Sequence, residues 1–199
     1  DFAGTLEDDI VGQLKVLLTI AETIAHAHGR YVIHRDLKPE NIIMEYFENE
    51  QEWRPFLTDF DLAWFPTASV LTKDGFGTPY YSAPEQVNKP NSSISRDVRV
   101  DIYGFGQLCY FSLTRSDPIN GHDMNVKSLK KRLENWDIND AAKAMLELYE
   151  GATQNEPSKR IENFRTICDK LHKIILFLKE SPSKYLEQER FLREIVFGL

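Results

Sequence analysis

The sequence predicts an α+β fold in which helices predominate and strands are few. Apolar residues recur at steps of three and four over long stretches, which is the spacing of one helix face. Only two short runs, 41–44 and 55–58, have the composition of strands. An acidic stretch, 45–52, joins them and predicts a solvated hairpin loop. Residues 59–93 are irregular and rich in proline and glycine, and such long loops are usually functional.

The first helix is predicted from about Ile10 to His28. Apolar side chains recur there on one face, at 10, 14, 17, 18, 21, 24 and 25. Gly29 follows directly and is placed to end the helix, as glycine commonly does. Residues 31–33 form a short β-prone run that leads into a loop opened by His34.

The C-terminal half is predicted to be helical. Residues 98–113 carry apolar side chains all around the helix, which is typical of a buried helix. Pro157 suits the first turn of a later helix, where no N–H partner is needed. The predicted helices of this half cover residues 98–113, 126–135, 140–150, 157–178 and 183–197. The last has an amphipathic face that packs on the domain or binds a partner, and both interpretations stay open.

Length, composition and charge fit one globular domain. The chain has 199 residues, of which 42% are hydrophobic and 28% charged. These values exclude collagen-like, low-complexity and disordered classes for most of the chain. Lys and Arg number 24 against 31 Asp and Glu. The resulting net charge of -7 argues against a dedicated nucleic-acid-binding protein.

The cysteines and the apolar runs predict a cytoplasmic protein, or the cytoplasmic part of a longer one. Cys109 and Cys168 lie in helical apolar patterns, so we expect buried thiols in a reducing compartment. No membrane span is expected, because no run approaches roughly 18 apolar residues, and no signal peptide is visible. The first residue is Asp1 rather than Met, so we expect a fragment or a processed product.

The string from His34 to Asn41, His-Arg-Asp-Leu-Lys-Pro-Glu-Asn, carries the most specific chemistry. Asp36, Lys38 and Asn41 bring a base, a cation for phosphate charge and a metal-binding amide into one short loop. Asp59 follows the second predicted strand in the string Asp-Phe-Asp and offers a second metal ligand. Magnesium prefers a few oxygen ligands together with substrate phosphates, which Asn41 and Asp59 would supply.

These strings resemble the eukaryotic-type protein kinase family, serine/threonine branch. Residues 34–41 match its catalytic loop and 59–61 its magnesium motif, with the final glycine replaced. Residues 77–85 resemble the end of the activation segment, including Ala-Pro-Glu. Residues 101–106 resemble the start of the buried central helix, and 157–160 resemble the site of the arginine that pairs with the Ala-Pro-Glu glutamate in that family. The resemblance covers roughly residues 6 to 178 and implies the C-terminal, large lobe alone.

The resemblance implies a boundary and a set of residue roles. The large lobe would span 1–178, with an activation segment at 59–85 and a helical tail at 179–199. Asp36 would orient the substrate hydroxyl, and Lys38 would neutralise charge on the transferred phosphoryl group. Asn41 and Asp59 would hold Mg, while Glu40 and Ile43 would line the ATP site, Ile43 against the adenine. Thr78 would contact Asp36 and Lys38 beside the substrate. The implied structural residues are His34, Phe60, Glu85, Asp101 and Arg160.

Two features of the resemblance bear on substrate and regulation. Lys38 and Thr78 stand where the serine/threonine branch has them, which favours Ser/Thr hydroxyls of proteins as acceptors. Arg35 precedes Asp36, and such an arginine commonly binds a phosphate on the activation segment. Thr67, Ser69 and Thr72 are the candidate acceptors.

Two departures keep other interpretations open. Asp61 replaces the glycine of the magnesium motif, and Asp-Phe-Asp is also similar to the aminoglycoside and choline kinases. No glycine-rich loop or strand lysine of a small lobe is found in the 199 residues. We therefore expect a small lobe upstream or on another chain, and weak activity from this chain alone. The alternatives are a pseudokinase-like scaffold and a small-molecule kinase.

Overall fold

Six α-helices and one two-stranded antiparallel sheet form the described part of the chain in the computed structural model. That part covers residues 6, 9–66, 80–90, 92–119, 121–136 and 138–179. The helices are α1 (Ile10–His28), α2 (Pro84–Asn88), α3 (Arg99–Thr114), α4 (His122–Leu133), α5 (Asn139–Ala152) and α6 (Phe164–Lys179). The strands are β1 (Ile42–Phe47) and β2 (Glu52–Leu57). The predicted helix-rich α+β class is confirmed.

Helix α1 has the predicted bounds and begins at a side-chain cap. Asp9 Oδ1 accepts a hydrogen bond of 2.8 Å from the backbone N–H of Gly12, which satisfies a donor of the first turn. At the other end Gly29 keeps a right-handed φ of -61°. The left-handed residue that turns the chain is Tyr31, with φ 60°. Gly29 therefore follows the helix as predicted, but the reversal comes two residues later.

By length and composition alone, α1 could also cross a membrane, with a mean hydropathy of 1.3 over an 18-residue window. The sequence prediction had found no such stretch. A core helix of a soluble protein meets the same test. Seven residues of α1, Leu14, Leu17 and Ile20 among them, are buried. They belong to a core shared with α3, α5 and α6.

The hairpin is longer than predicted, and its loop is shorter. Strand β1 pairs with β2 from Ile42 opposite Leu57 to Phe47 opposite Glu52. Half of the acidic stretch predicted as a loop, 45–47 and 52, thus lies within the strands, and only 48–51 turn. The prediction failed because cross-strand pairs extend the ladder into the acidic stretch, among them Tyr46 and Trp53, whose ring centroids are 5.2 Å apart. The β-prone run 31–33 forms only an isolated bridge between Ile33 and Trp64.

Helix α3 is the central element of the core. Twelve of its residues are buried, in agreement with the predicted apolar circumference. Two glycines allow neighbours to approach closely. A Cβ added at Gly104 would lie 3.2 Å from Leu37 Cβ in the loop that follows α1. One added at Gly106 would lie 2.6 Å from Thr153 Cγ2, at the end of α5. The Gly-x-Gly spacing therefore brings two elements against one helix.

Two helices differ from their predicted limits. Helix α4 begins at His122 instead of 126, because Asn125 is buried and bonds the preceding loop. The helix predicted over 157–178 is divided into a 3₁₀ turn, Pro157–Lys159, and α6. The break lies at Arg160, whose ψ of 162° is extended. The helix predicted at 183–197 lies outside the described residues.

Candidate active site

Asp101, in the first turn of α3, holds the start of the loop 34–41. Its carboxylate is 1% exposed and accepts hydrogen bonds from the backbone N–H groups of His34 (2.8 Å) and Arg35 (2.7 Å). His28 Nε2, at the end of α1, donates to the same carboxylate at 2.8 Å. Arg35 has φ 70°, a conformation that non-glycine residues adopt only when their surroundings fix it. Asp101 is thus the structural residue that the sequence predicted.

Asp36, Lys38 and Asn41 lie together, as the sequence predicts. Lys38 Nζ is 2.9 Å from Asp36 Oδ2, and Asn41 Nδ2 donates to the same oxygen at 3.1 Å. Asn41 Nδ2 also donates to the Asp36 carbonyl at 2.8 Å. Asp36 is 8% exposed and Asn41 5%, so the contacts are largely shielded from water. Two contacts on one carboxylate oxygen fix the orientation of the Asp36 side chain.

The end of β2 brings Asp59 beside this loop. Thr58 bonds the Asn41 carbonyl twice, with its N–H at 2.9 Å and its hydroxyl at 3.1 Å. Asp59 follows directly, with an exposed side chain and φ 61°. Its Oδ1 accepts the N–H of Asp61 at 3.2 Å. The carboxylate of Asp59 and the amide of Asn41 therefore lie on adjoining segments, as the metal-site prediction requires.

His34 and Phe60 are in contact beneath the loop. Their ring centroids are 4.7 Å apart in an edge-to-face arrangement. His34 Nδ1 accepts the N–H of Asp36 at 3.3 Å, so Nε2, 3.1 Å from the Thr58 carbonyl, carries the proton. His34 is buried as expected. Phe60 is 47% exposed and therefore lies at the surface of this chain instead of in the core.

Two residues predicted for the nucleotide site, Ile43 and Glu40, are exposed at the start of the hairpin. Ile43 is 56% exposed and pairs with Phe56, which is 44% exposed. Alternation along β1 explains this exposure, because Ile42 points to the core and Ile43 points away from it. Glu40 lies in the 3₁₀ turn between Lys38 and β1 and is exposed. An open apolar surface therefore adjoins the polar loop.

Glu85 and Arg160 form the buried ion pair that the sequence predicts. Arg160 Nη1 and Nη2 lie 2.6 and 2.7 Å from the two oxygens of Glu85. The other guanidinium N–H groups donate to the carbonyls of Gln154, Arg99 and Asn155. Each residue is 5% exposed. All donors of the arginine are satisfied, which a buried charge requires.

Two contacts at the site were missed by sequence reasoning. Gln86 Nε2 donates to the Arg35 carbonyl at 2.9 Å and so ties α2 to the catalytic loop. Tyr81 donates its hydroxyl to Asp117 Oδ1 at 2.7 Å. Burial, and then this carboxylate, raise the pKa of Tyr81 well above its usual range. No local sequence pattern predicts either contact, because the bonded residues are 51 and 36 positions apart in the chain.

Several predicted residues lie outside the described part of the chain. They are Thr78, the candidate phosphate acceptors Thr67, Ser69 and Thr72, and the tail beyond residue 179. The described part brings Asp36, Lys38 and Asn41 together, with Asp59 on the adjoining segment. His34 and Asp101 hold the backbone of this loop by hydrogen bonds. It also holds the start of α2 through the pair of Glu85 with Arg160.

Residues 4–181 of the chain match the sequence model of the protein kinase domain. The chain belongs to the protein kinase family. It is 38% identical over 105 residues to serine/threonine-protein kinase PkaA of Streptomyces coelicolor, covering 51% of this chain and 18% of that protein. It is 31% identical over 139 residues to calcium-dependent protein kinase 4 of Plasmodium falciparum, covering 66% and 25%. It is 32% identical over 102 residues to myosin light chain kinase A of Dictyostelium discoideum, covering 51% and 32%.

The matched part of this chain spans between about a fifth and a third of the length of these curated relatives. The relatives are named as protein kinases, which favours that class over the small-molecule kinases that Asp-Phe-Asp also suggested. The kinase motifs lie within the matched range, from the catalytic loop to Arg160.

Proposed function

We propose that this chain is the large lobe of a serine/threonine protein kinase that transfers the γ-phosphoryl group of ATP to protein hydroxyls. The observation that supports this proposal most directly is the buried Asp36 carboxylate, whose Oδ2 lies 2.9 Å from Lys38 Nζ and 3.1 Å from Asn41 Nδ2. Phosphoryl transfer needs mainly positioning and charge stabilisation, and a fixed carboxylate beside a cation supplies both. The relatives support the Ser/Thr class, because PkaA is named a serine/threonine-protein kinase.

Asp36 accepts the hydrogen bond of the attacking hydroxyl in this proposal. Asn41 holds the carboxylate from the side, and Asp101 holds the backbone before it, so orientation costs little when the substrate binds. The Lys38 ammonium contacts the same carboxylate oxygen of Asp36 as Asn41 does. From there it stabilises the negative charge that develops on the transferred phosphoryl group. Thr78 is proposed to contact both side chains from the activation segment.

The residues present fit a magnesium ion. Both bonds of the Asn41 amide to Asp36 use its nitrogen, which leaves the amide oxygen for a cation. The exposed Asp59 carboxylate is adjacent through the Thr58–Asn41 bonds. Among the described residues no cluster of three or more His, Cys, Asp or Glu could hold a metal, so nucleotide phosphates and water would complete the shell. Mg would neutralise phosphate charge there.

The nucleotide base is proposed to lie against Ile43, and Glu40 is proposed to line the same ATP site. The apolar surface of Ile43 and Phe56 is open in this chain, and a small lobe would cover it from above. We propose that this lobe lies upstream or on another chain, in the cytoplasm. The 199 residues alone are then expected to bind ATP weakly, because only one wall of the site is present.

The decisive test is transfer of labelled γ-phosphate from ATP to a serine-containing protein in the presence of Mg. It uses the gene product that carries this chain together with any upstream small lobe. Asp36→Asn is expected to lower kcat by at least about a thousandfold, the order that positioned acid–base groups contribute. Asp169→Asn makes the same change at an exposed position of α6 and is expected to retain full activity.

The outcome also separates the alternatives. Transfer to serine but not to tyrosine peptides supports the Ser/Thr class. Equal residual activity in the wild type and Asp36→Asn, with both folded by circular dichroism, would favour the pseudokinase-like scaffold. Phosphorylation of aminoglycosides or choline instead of protein would favour the small-molecule kinase.

A further inference from the structure

Helix α4 presents a basic face that the proposed phosphoryl transfer does not use. Lys127, Lys130 and Lys131 are exposed, and none forms an ion pair with a carboxylate of the described residues. Met124, four residues before Ser128 and seven before Lys131, lies on the same face and is 60% exposed. The stretch 122–135 carries four cations and two carboxylates, in a chain whose net charge is -7.

This face adjoins a cavity of about 330 Å³ between the ends of α3 and α4. Its walls combine the cations Lys131 and Arg132 with the hydroxyls of Thr114 and Ser128. Glu134 and Asn135 complete the lining. Cations next to hydroxyl and amide groups can bind carboxylates by charge-assisted hydrogen bonds. The cavity has room for one or two side chains of a bound segment.

The face is held rigidly on the body of the domain. The Asn125 side chain accepts the N–H of Ile119 at 3.0 Å and donates to its carbonyl at 2.9 Å, which fixes the loop before α4. Arg132 Nε donates to the Leu113 carbonyl at 3.0 Å and fixes the helix to the end of α3. Leu129 and Leu133 are buried beneath. A preorganised surface loses little entropy when a partner binds.

The same region is connected to the activation segment. The loop between α3 and α4 contains Asp117, whose carboxylate accepts the Tyr81 hydroxyl at 2.7 Å. Tyr81 lies four residues before Glu85, at the end of that segment. The loop that leads into α4 therefore contacts the part of the chain that, under the proposed function, lies beside the substrate.

We propose that the exposed face of α4, with the adjoining cavity, docks an acidic segment of the protein that this kinase phosphorylates. The naming of the partner as substrate rests on the proposed function, whereas the binding itself does not. One carboxylate of the segment forms an ion pair with Lys131 in the cavity, and others form ion pairs with Lys127 and Lys130. An apolar residue of the segment packs against Met124. Docking at this face raises the local concentration of the acceptor hydroxyl at the catalytic loop.

Charge and size favour an acidic protein segment over a polyanion. Nucleic-acid binding depends on many phosphate contacts along an extended basic surface, whereas this face is one helix long. The surrounding protein is acidic and would repel a long polyanion. The exposed Met124, on the same face as the lysines, suits a segment that alternates acidic and apolar residues.

Fluorescence anisotropy with the 199-residue chain tests the binding directly. The probe is a labelled peptide of repeated Glu-Glu-Leu, and its control is the same peptide with Gln in place of Glu. Lys127→Glu combined with Lys131→Glu is expected to raise the Kd of the acidic peptide about tenfold or more. The matched control is Lys143→Glu combined with Lys179→Glu, which changes the charge equally at exposed positions of α5 and α6. It is expected to change the Kd less than about threefold.

Each result decides the proposal. Binding of the Glu peptide over the Gln peptide, lost only in the α4 variant, supports it. Equal affinity in the two double variants overturns it, as does a failure of the Glu peptide to bind. Tighter binding of single-stranded DNA or of phosphatidylserine vesicles, also lost in the α4 variant, assigns the face to another ligand and overturns it. The assay is repeated in Asp36→Asn, so that docking and phosphoryl transfer can fail independently.

Discussion

Glu85 and Arg160 lie 75 residues apart in the sequence and are joined by two hydrogen bonds of 2.6 and 2.7 Å in the interior. The pair connects the start of α2 with the turn before α6. Because the guanidinium also bonds three backbone carbonyls, it fixes the start of α2, the start of α3 and the chain after α5 in one arrangement.

Arg160→Leu is therefore expected to destabilise the fold strongly. It leaves the Glu85 carboxylate buried without its partner, which costs about 3–5 kcal/mol of unfolding free energy. Urea denaturation followed by circular dichroism measures this loss. Lys159→Leu is the control, because Lys159 pairs with Glu156 at the surface, and its loss should be hardly measurable. Similar losses in the two variants would contradict the structural role of the pair.

Gly106→Ala is expected to lower stability, and Gly29→Ala is not. The Cβ at 106 would lie 2.6 Å from Thr153 Cγ2 and 2.9 Å from Ala152 Cβ, and overpacking of this kind costs about 1–3 kcal/mol. At Gly29 the nearest atom would be 3.4 Å away and φ is -61°, so alanine fits and can stabilise by a few tenths of a kcal/mol. Thermal unfolding of the two variants checks the sign of each effect.

Asp59 and Asp61 are expected to respond differently to substitution. Asp59→Asn removes the carboxylate proposed for Mg and should weaken Mn²⁺ binding to the nucleotide complex, measured by electron paramagnetic resonance. Asp61 has no left-handed φ, so its backbone does not require the glycine of related kinases. Asp61→Gly should therefore leave metal affinity and the rate of transfer within about threefold, a change below 1 kcal/mol. A large gain of activity in Asp61→Gly would show that this aspartate impairs the site.

Cys168 is expected to make stability depend on alkaline pH. Burial, together with Glu22 and Asp169, raises the pKa of this thiol from 9.0 to about 11. The folded chain then holds the thiol proton more tightly than the unfolded chain. The stabilising contribution is complete below about pH 9 and is lost as the pH rises towards 11.

Urea denaturation at pH 8 and pH 10.5 measures this dependence. Cys168→Ala should lose less stability between the two pH values than the wild type, because only the wild type has the thiol to titrate. Cys109→Ala is the comparison for the second buried thiol, whose pKa burial also raises. An identical pH dependence in the wild type and Cys168→Ala would contradict the prediction.

Local sequence patterns were sufficient for the helices that bury one face or all faces. The bounds of α1 were predicted without error, and those of α3 within one residue, because apolar spacing directly reflects burial. The pattern failed at Arg160. A helix-compatible sequence was interrupted there because the extended backbone lets the guanidinium reach Glu85. Tertiary hydrogen bonds outweighed local propensity at that position.

Site residues were predictable in identity but not in all their contacts. The string 34–41 specified Asp36, Lys38 and Asn41 because adjacent residues in one tight loop must lie close together. Gln86 and Asp117 could not be found this way, since each acts through a contact with a residue more than 30 positions distant. The exposure of Phe60 also depends on what packs above it, which no short pattern encodes.

By itself, the sequence determined the family, the helix-rich class and the proximity of Asp36, Lys38 and Asn41, because these depend on residue types at short, fixed spacings. Only the tertiary structure decided that Asp101 holds that loop from α3, that Arg160 breaks a helix to pair with Glu85, and that the lysines of α4 share one exposed face beside a cavity. The physical reason is range. Hydrophobic periodicity and loop chemistry act between neighbours in the chain, whereas buried hydrogen bonds and surface charge depend on which distant segments the folded core brings together.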